Sequence, residues 1–523
     1  MPATGLQVNR ASYEALPYFN CLVPQAHPDR MATLALLCGL RPPPVERCRV
    51  LELGCADGAN LIAAAQALPD GEFTGVDFSS RSIGEGLEVV HGAALRNVTL
   101  IHSRIEDLNL NEGSFDYIIA HGIYSWVDET VRRKLLEIYR DHLSAGGVGY
   151  ISYNTYPGWY LRRGFREMMM HHVRSATEAT ARVKGARGFI EVLARGCPNP
   201  DDPYHRLVRD FREAIGKSPD FYIAHDHMEE VNEPVCFHEF AEQIGRYGLR
   251  FAIEADYPAG NTLNESDLAA LLGAKAGDPI EEEQYKDFLL NRMFRRSLIV
   301  HAGATPDRVI RPERLVRLFF STRAQPIAVS QQAGGERGFR APDSTTVTMA
   351  EPLCRTAMEW LCEIQPRVVS FAELAATARH RVSGLGGTPP TEPGAEETLL
   401  ATELLKVFRQ SDRVLRLHSH MPRMVLEPGE RPVASALARH MAQRFESVVN
   451  LQHEQISMGH LNRHLLGLLD GSRDRAALQQ ELEAWINSGV LGPVDSPANV
   501  KQTVEANLEP TLRSMARLVL LVR

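Results

Sequence analysis

Apolar and polar positions along the chain change period repeatedly, and each change marks an element. Val50, Leu51 and Leu53 form a short apolar run that stops at Gly54 and Gly58, and an alanine-rich stretch follows from Leu61 to Leu68. This reads as a buried strand, a glycine turn and the start of a helix. A helix is also expected before it, from Arg30 to Leu40. Glu72 to Asp77 predicts a second strand and Val98 to His102 a third. Phe115 to Ala120 has little alternation, as in a strand buried on both faces of a parallel sheet. A helix from Asp128 to Leu143, a turn at Gly146 and Gly147, and a strand from Val148 to Tyr153 continue the series. Strands alternating with helices predict a doubly wound α/β sheet, and such sheets bind ligands outside the carboxyl ends of their strands.

Downstream the pattern turns helical and basic. From Tyr160 to Gly196, Arg162, Arg163, Arg166, Arg174, Arg182, Lys184 and Arg187 are opposed only by Glu167 and Glu178 as far as residue 187. Pro198 to Pro203 breaks the chain; a helix from Phe237 to Tyr247 and strands at Gly248 to Asp256 and Arg296 to His301 follow. Those two strands are expected to close the sheet. The first domain then spans about 1–305, with the basic helices as an insertion over about 160–230. Beyond it the chain reads as mostly α, with winged-helix-like units at 306–383 and 396–523 and a flexible linker from Gly384 to Gly394. Ser370 to Glu373 reads as a capping box; Leu465 to Leu469, Asp470-Gly471-Ser472 and a helix from Arg473 to Trp485 repeat the pattern. Neither unit carries a strong basic stripe, so protein contact is favoured over DNA.

The glycine turn decides the chemistry. Such a turn lets a ligand lie against backbone, and the helix N-terminus adds donors and partial positive charge. A dinucleotide fingerprint needs a second glycine where Ala56 stands, and Glu52 suits a cationic ligand better than a phosphate. Asp77 ends the second strand 23 residues after Gly54, the spacing at which a ribose diol is held. These features together look like the S-adenosylmethionine site of a class I methyltransferase. That reading places the cofactor on Glu52, Gly54, Cys55, Ala56, Gly58, Asn60, Asp77, Phe78, Arg104, Ile105, His121 and Gly122. Arg104 and Ile105 read equally well as a charged loop.

Composition adds boundaries. The 523 residues are 44% hydrophobic and 23% charged, and no apolar run reaches the ~18 to 20 residues of a membrane span. Residues 1–16 lack a secretory pattern and the eight cysteines include no CxxC pair, so a reduced cytoplasm is expected. The formal charge of -8 argues against a chain that coats nucleic acid. His225-Asp226-His227, with His238, lacks a recognised ligand spacing, and no metal is expected there.

The run from Tyr13 to Asp29, the turn from Val50 to Asn60, His121 to Val127, Ser152 to Trp159 and Glu229 to Pro234 together resemble the bacterial proteins that carry a methyltransferase domain and a methyltransferase regulatory domain. That family includes the rickettsial protein-lysine methyltransferases. The resemblance covers about residues 10–300 and implies a regulatory region at about 218–300, a protein lysine acceptor and a dimerisation element in the basic helices. Ala56 departs from the glycine that the family favours. The run from Tyr13 to Asp29 is either an arm packed on the domain or a lid over the cofactor.

Methyl transfer from a sulfonium is an in-line displacement that chiefly needs positioning and exclusion of water. Aromatic and amide side chains after the fourth and fifth strands, Tyr124, Tyr153, Asn154, Tyr156 and Trp159, are the candidate acceptor pocket, with His121 as a candidate proton acceptor. Trp126 lies in the same stretch, and the bland reading of these rings is loop packing. Besides protein methylation, two readings remain open: a methyltransferase for a small molecule or nucleic acid, and a non-catalytic protein that kept the cofactor fold.

Overall fold

β1 (Arg49–Leu53), β2 (Glu72–Asp77), β3 (Val98–His102), β4 (Phe115–Ala120), β5 (Leu143–Asn154), β6 (Leu249–Glu254) and β7 (Phe294–His301) form one sheet in the order 3-2-1-4-5-7-6. The computed structural model describes residues 22–110, 115–196, 199, 201–258, 265–275, 277–328, 337–384, 394–489 and 497–523. The expected arm from Tyr13 lies outside the described residues up to residue 21, and the expected linker does so over 385–393.

β1 to β5 run parallel, while β7 is antiparallel to both β5 and β6. The chain order reverses between β1 and β4, which opens a crevice at their carboxyl ends. Side chains alternate between the faces. Val50, Phe73, Tyr117 and Tyr150 enter one core, and Leu51, Leu53, Ile118 and Ile151 the other. The helices Ala59–Ala67, Ser80–Gly92 and Glu129–His142 are the crossovers. Ser79 and Asp128 cap the last two by accepting backbone N–H bonds.

β5 is longer than its apolar run implies. Gly146 and Gly147 do not turn the chain but lie inside the strand, where the register with β4 shifts between Phe115 and Tyr117. A Cβ on Gly147 would lie 2.9 Å from Asp116 O, so glycine serves close backbone approach at a bulge.

Between β5 and β6 the insertion folds as helices Gly158–His172, Ala179–Arg195 and Pro203–Lys217. They enclose their own core, including Phe165 stacked on Phe211 at 4.3 Å. Beyond the sheet, Phe319–Ser321 pairs with Val369–Ser370 on one side and Arg416–His418 on the other, so this small sheet continues past the expected linker. Helices Pro352–Glu363, Phe371–Gly384 and Ala395–Gln410 pack with it. Half of the expected capping box forms: Glu373 N donates to Ser370 Oγ at 3.2 Å, while the Glu373 carboxylate pairs with Arg367.

The C-terminal unit has helices Ala436–Arg444, His460–Leu468, Arg475–Asn487 and Pro497–Arg517 and a hairpin of Ser447–Val449 with Gln455–Ser457. It is docked on the domain of the seven-stranded sheet through Arg444 to Glu88 and Asn60 to His453. No helix among the described residues is long and apolar enough to cross a membrane.

Candidate functional site

The turn after β1 takes left-handed backbone at Gly54 (φ 69), Ala56 (φ 49) and Gly58 (φ 74). Gly54 N and Cys55 N both donate to Val76 O, at 2.8 and 3.1 Å, which stitches the turn to β2. Ala56 carries a Cβ where that conformation costs on the order of 1 kcal/mol or more. Its N–H is used in return, donating at 2.8 Å to Asp77 Oδ2. The other Asp77 oxygen accepts from Ser79 N at 2.8 Å. Burial raises the Asp77 pKa, opposed by backbone N–H bonds from Ser79, Ala56 and Phe78.

Glu52 is 5% exposed; Oε1 accepts from Asn60 Nδ2 at 3.1 Å, and Oε2 is buried without a partner among the described residues. Burial pushes its pKa up to about 8, with Asn60 pulling the other way. With a pKa of about 8 the group is mostly protonated at neutral pH, and a cation beside its spare oxygen would favour the carboxylate form. Cys55 points into the sheet, its Sγ close over Gly75, and so contributes backbone to the turn. Phe78 is 38% exposed beside Asp77. Arg104 is paired with Glu106 of its own loop, while Ile105 leans on the apolar core.

His121 and Gly122 follow the last residue of β4. His121 Nδ1 lies 2.9 Å from Tyr150 OH, and Gly122 N donates to Ser152 Oγ at 2.8 Å. Desolvation, with the Arg296 charge adding to it, lowers the His121 pKa to about 3. A ring that sheds its proton so readily is a poor base at neutral pH. Ile123 lies over the glycine turn, where a Cβ on Gly54 would come within 2.2 Å of its Cδ1.

β5 separates the expected acceptor residues by its pleat. Tyr153 stacks on Phe240 at 4.1 Å and meets Ser297 Oγ at 3.1 Å, inside the core. Tyr124 joins the same cluster, edge-on to Phe240, and its hydroxyl donates to Gln243. Neither ring faces the pocket expected of it: Tyr153 and Asn154 are adjacent on a strand and point to opposite faces. Asn154 is 4% exposed and donates through Nδ2 to Asn232 Oδ1 at 3.2 Å. Its backbone N donates to Ser125 Oγ, and its O accepts from Val235 N. Tyr156 stacks on Tyr160 at 4.1 Å, and its hydroxyl accepts from Arg163. Trp159 is buried and meets Trp126 edge to face at 6.2 Å.

Trp159 is also one wall of a cavity of about 250 Å³, closed by Arg163, Arg166, Glu167 and the segment from Glu230 to Pro234. That segment docks on the end of β5 through a parallel bridge between Thr155 and Val235. Asn232, Glu230 and Glu233 line this cavity, although the sequence marks their run only as part of a family motif with no site role. Their signal was the Glu-Glu-Val-Asn-Glu-Pro run itself, whose contact with β5 only folding supplies. The histidines of the cluster have partners elsewhere: His225 pairs with Glu229 at 3.0 Å, His227 packs on Phe211 and Tyr222, and His238, in the helix Phe237–Arg246, meets Gln284.

Comparison with known proteins places this geometry. A methyltransferase domain family matches residues 50–147, a predicted methyltransferase regulatory domain 219–301, and the PKMT C-terminal winged helix domain 430–520. PKMT2 from Rickettsia typhi superposes with a TM-score of 0.83 at 26% identity, covering 97% of this chain and 100% of that one. The same protein in complex with AdoHcy gives a TM-score of 0.82, at the same 26% identity and with 97% of this chain and 100% of that one covered. An uncharacterized protein of Rickettsia prowazekii is 26% identical over 534 residues, 99% of this chain and 95% of the relative. A second uncharacterized protein of that organism is 34% identical over 237 residues, 45% of this chain and 95% of its own length. The chain belongs to the class I S-adenosylmethionine-dependent methyltransferases that join a methyltransferase domain to a methyltransferase regulatory domain and a PKMT-type C-terminal winged helix domain.

Proposed function

We propose that this enzyme methylates lysine side chains of a protein substrate by direct in-line transfer. The observation that carries the reading is the cavity of about 250 Å³ at the carboxyl end of β5, where the indole of Trp159 meets a rim of Arg163, Arg166, Glu167, Glu230 and Glu233. Glu167 is paired with Arg163 and Glu233 with Arg132, so Glu230 is the rim carboxylate best placed to receive a further cation. Carboxylates attract an ammonium group, and an aromatic wall accepts its alkyl stem while excluding water. The likeness to a rickettsial PKMT2 over 97% of the chain supports a protein acceptor.

S-adenosylmethionine supplies the methyl group on a sulfonium, and the chain's residues fit it. Glu52, with its spare buried oxygen, would face the cationic end; Asp77 would hold the ribose; Phe78 and Ile105 offer apolar surface for the base. The turn from Gly54 to Gly58 supplies backbone close to the ligand, and His121 and Gly122 close the site from β4. On the acceptor side the Asn154 amide is oriented by Asn232, leaving Oδ1 as its acceptor toward an amine. Lysine must be neutral to react, against an ordinary pKa of about 10.4, and a water-poor pocket near a sulfonium favours that form. Trp126 and Trp159 keep water out.

The insertion favours self-association: Tyr160, Leu161, Val192, Tyr204 and Leu207 are large apolar side chains exposed on its helices. The free thiols of the six described cysteines fit a reducing cytoplasm. Labelled S-adenosylmethionine incubated with the enzyme and a cell lysate, followed by mapping of modified residues, tests the reading. Label on lysine is expected; label confined to nucleic acid or small molecules overturns it.

A further inference from the structure

The first turn of the helix Ala59–Ala67 holds a side chain wired to three parts of the molecule. Asn60 is 7% exposed, and its Oδ1 accepts from Val23 N and from His453 Nε2, both at 2.9 Å. Val23 N–H can only donate, which identifies this end of the amide as oxygen and the end facing Glu52 Oε1 as nitrogen. It follows that His453 Nε2 carries the hydrogen. The three groups form a directed line from the C-terminal unit to the edge of the glycine turn: His453 N–H to Asn60 C=O, and Asn60 N–H to the Glu52 carboxylate. Asn60 and His453 are 393 positions apart.

His453 is held for this task. It lies at the tip of the hairpin Ser447–Val449 and Gln455–Ser457, with φ at 59, a left-handed backbone that a histidine adopts at a cost. Asn450, fully buried, shapes the tip by accepting from Gln452 N and Glu454 N, both at 2.9 Å, and donating to Leu518 O at 3.0 Å. The His27 ring packs edge-on against His453 at 5.1 Å. A strained residue on a rigid, buried tip that ends on a cofactor-site side chain has more than a packing role.

Resting on the reading that Glu52 faces the cofactor, we propose that His453 is a positioning residue for it: by fixing Asn60 it orients the Glu52 carboxyl group at the glycine turn, so that seating of the C-terminal domain sets cofactor affinity. His453 is not itself a catalytic residue, and the wiring works through hydrogen-bond geometry alone.

Calorimetric titration of the full-length protein with S-adenosylmethionine tests this. His453→Leu is expected to weaken binding about tenfold, while His453→Gln, which keeps an N–H donor of similar reach, stays within about threefold of the parent. In an Asn60→Leu background, His453→Leu should add no further loss, since coupled residues are not additive. Hydrogen exchange on the unmodified protein gives a readout that survives a poorly folding variant: cofactor is expected to slow exchange over 450–455 as well as over 54–62. Parent-like affinity in His453→Leu, a Gln variant no better than the Leu variant, an additional full loss in the double variant, or protection that stops at the glycine turn would each overturn the proposal.

Discussion

The two halves of the proposed site are built on different length scales. At the cofactor edge, the Ala56 to Asp77 bond spans 21 positions and the Asn60 to Glu52 bond 8. At the acceptor edge, Asn154 meets Asn232 across 78 positions and Thr155 meets Val235 across 80. The first half is a local strand, turn and helix, and the second is a seam between β5, the insertion and the regulatory region. A binding half made locally can be shared by many enzymes, while a half made from distant segments can vary the acceptor without disturbing the cofactor. The His453 contact is the exception, a distant segment joined to the local half.

The comparison breaks most easily at the turn. Gly54→Val sets a branched side chain at φ 69 and drives its Cβ into Ile123, and cofactor binding is expected to vanish in calorimetry while circular dichroism keeps the native signal. Binding that survives would move the ligand elsewhere. Asp77→Ala removes both the proposed ribose partner and the acceptor for Ala56 N, with an expected loss of about 1.5 to 3 kcal/mol in cofactor affinity. Unchanged affinity would sink the ribose assignment.

The acceptor half should respond in turnover instead. Asn154→Ala is expected to lower kcat tenfold or more, about 1.4 kcal/mol or above, with cofactor affinity nearly intact. Tyr156→Phe, whose hydroxyl is engaged by Arg163, should cost less than Asn154→Ala. If both lose cofactor binding in step with activity, the two halves are one. The smallest effect is expected one residue away: Tyr153→Phe should leave turnover unchanged and cost about 0.5 to 1.5 kcal/mol of stability, read by denaturant titration, for the lost bond to Ser297. A large drop in turnover would mean that Tyr153 does reach the acceptor.

How much of this was written in the order of residues depends on the range of the interaction. β1, β2, β3 and β4, the glycine turn and the carboxylates Glu52 and Asp77 follow from apolar runs, glycine positions and spacing, because each is decided within about two turns of helix or one strand. That two later strands close the sheet and that the basic helices are inserted before them was also legible from the order of elements, whereas the placing of β7 between β5 and β6 runs against that order and was decided by strand pairing. The faces of β5 were legible in principle, yet a cluster of aromatics read as one pocket puts Tyr153 beside Asn154, which the two-residue pleat forbids. Gly146 and Gly147 read as a turn because glycine marks both turns and bulges, and only the register against β4 distinguishes them.

Tertiary structure alone decided the rest. Asn232 reaches Asn154 across 78 positions and His453 reaches Asn60 across 393, and Glu230 and Glu233 reach the rim beside Trp159 from a comparably distant segment. Closing such loops costs entropy that grows only slowly with length, so the chain leaves no periodic or compositional trace of which distant segments will meet. The sequence by itself determined a strand, a turn and a pair of carboxylates able to hold a cationic nucleoside. The packing of the folded chain decided what stands opposite them.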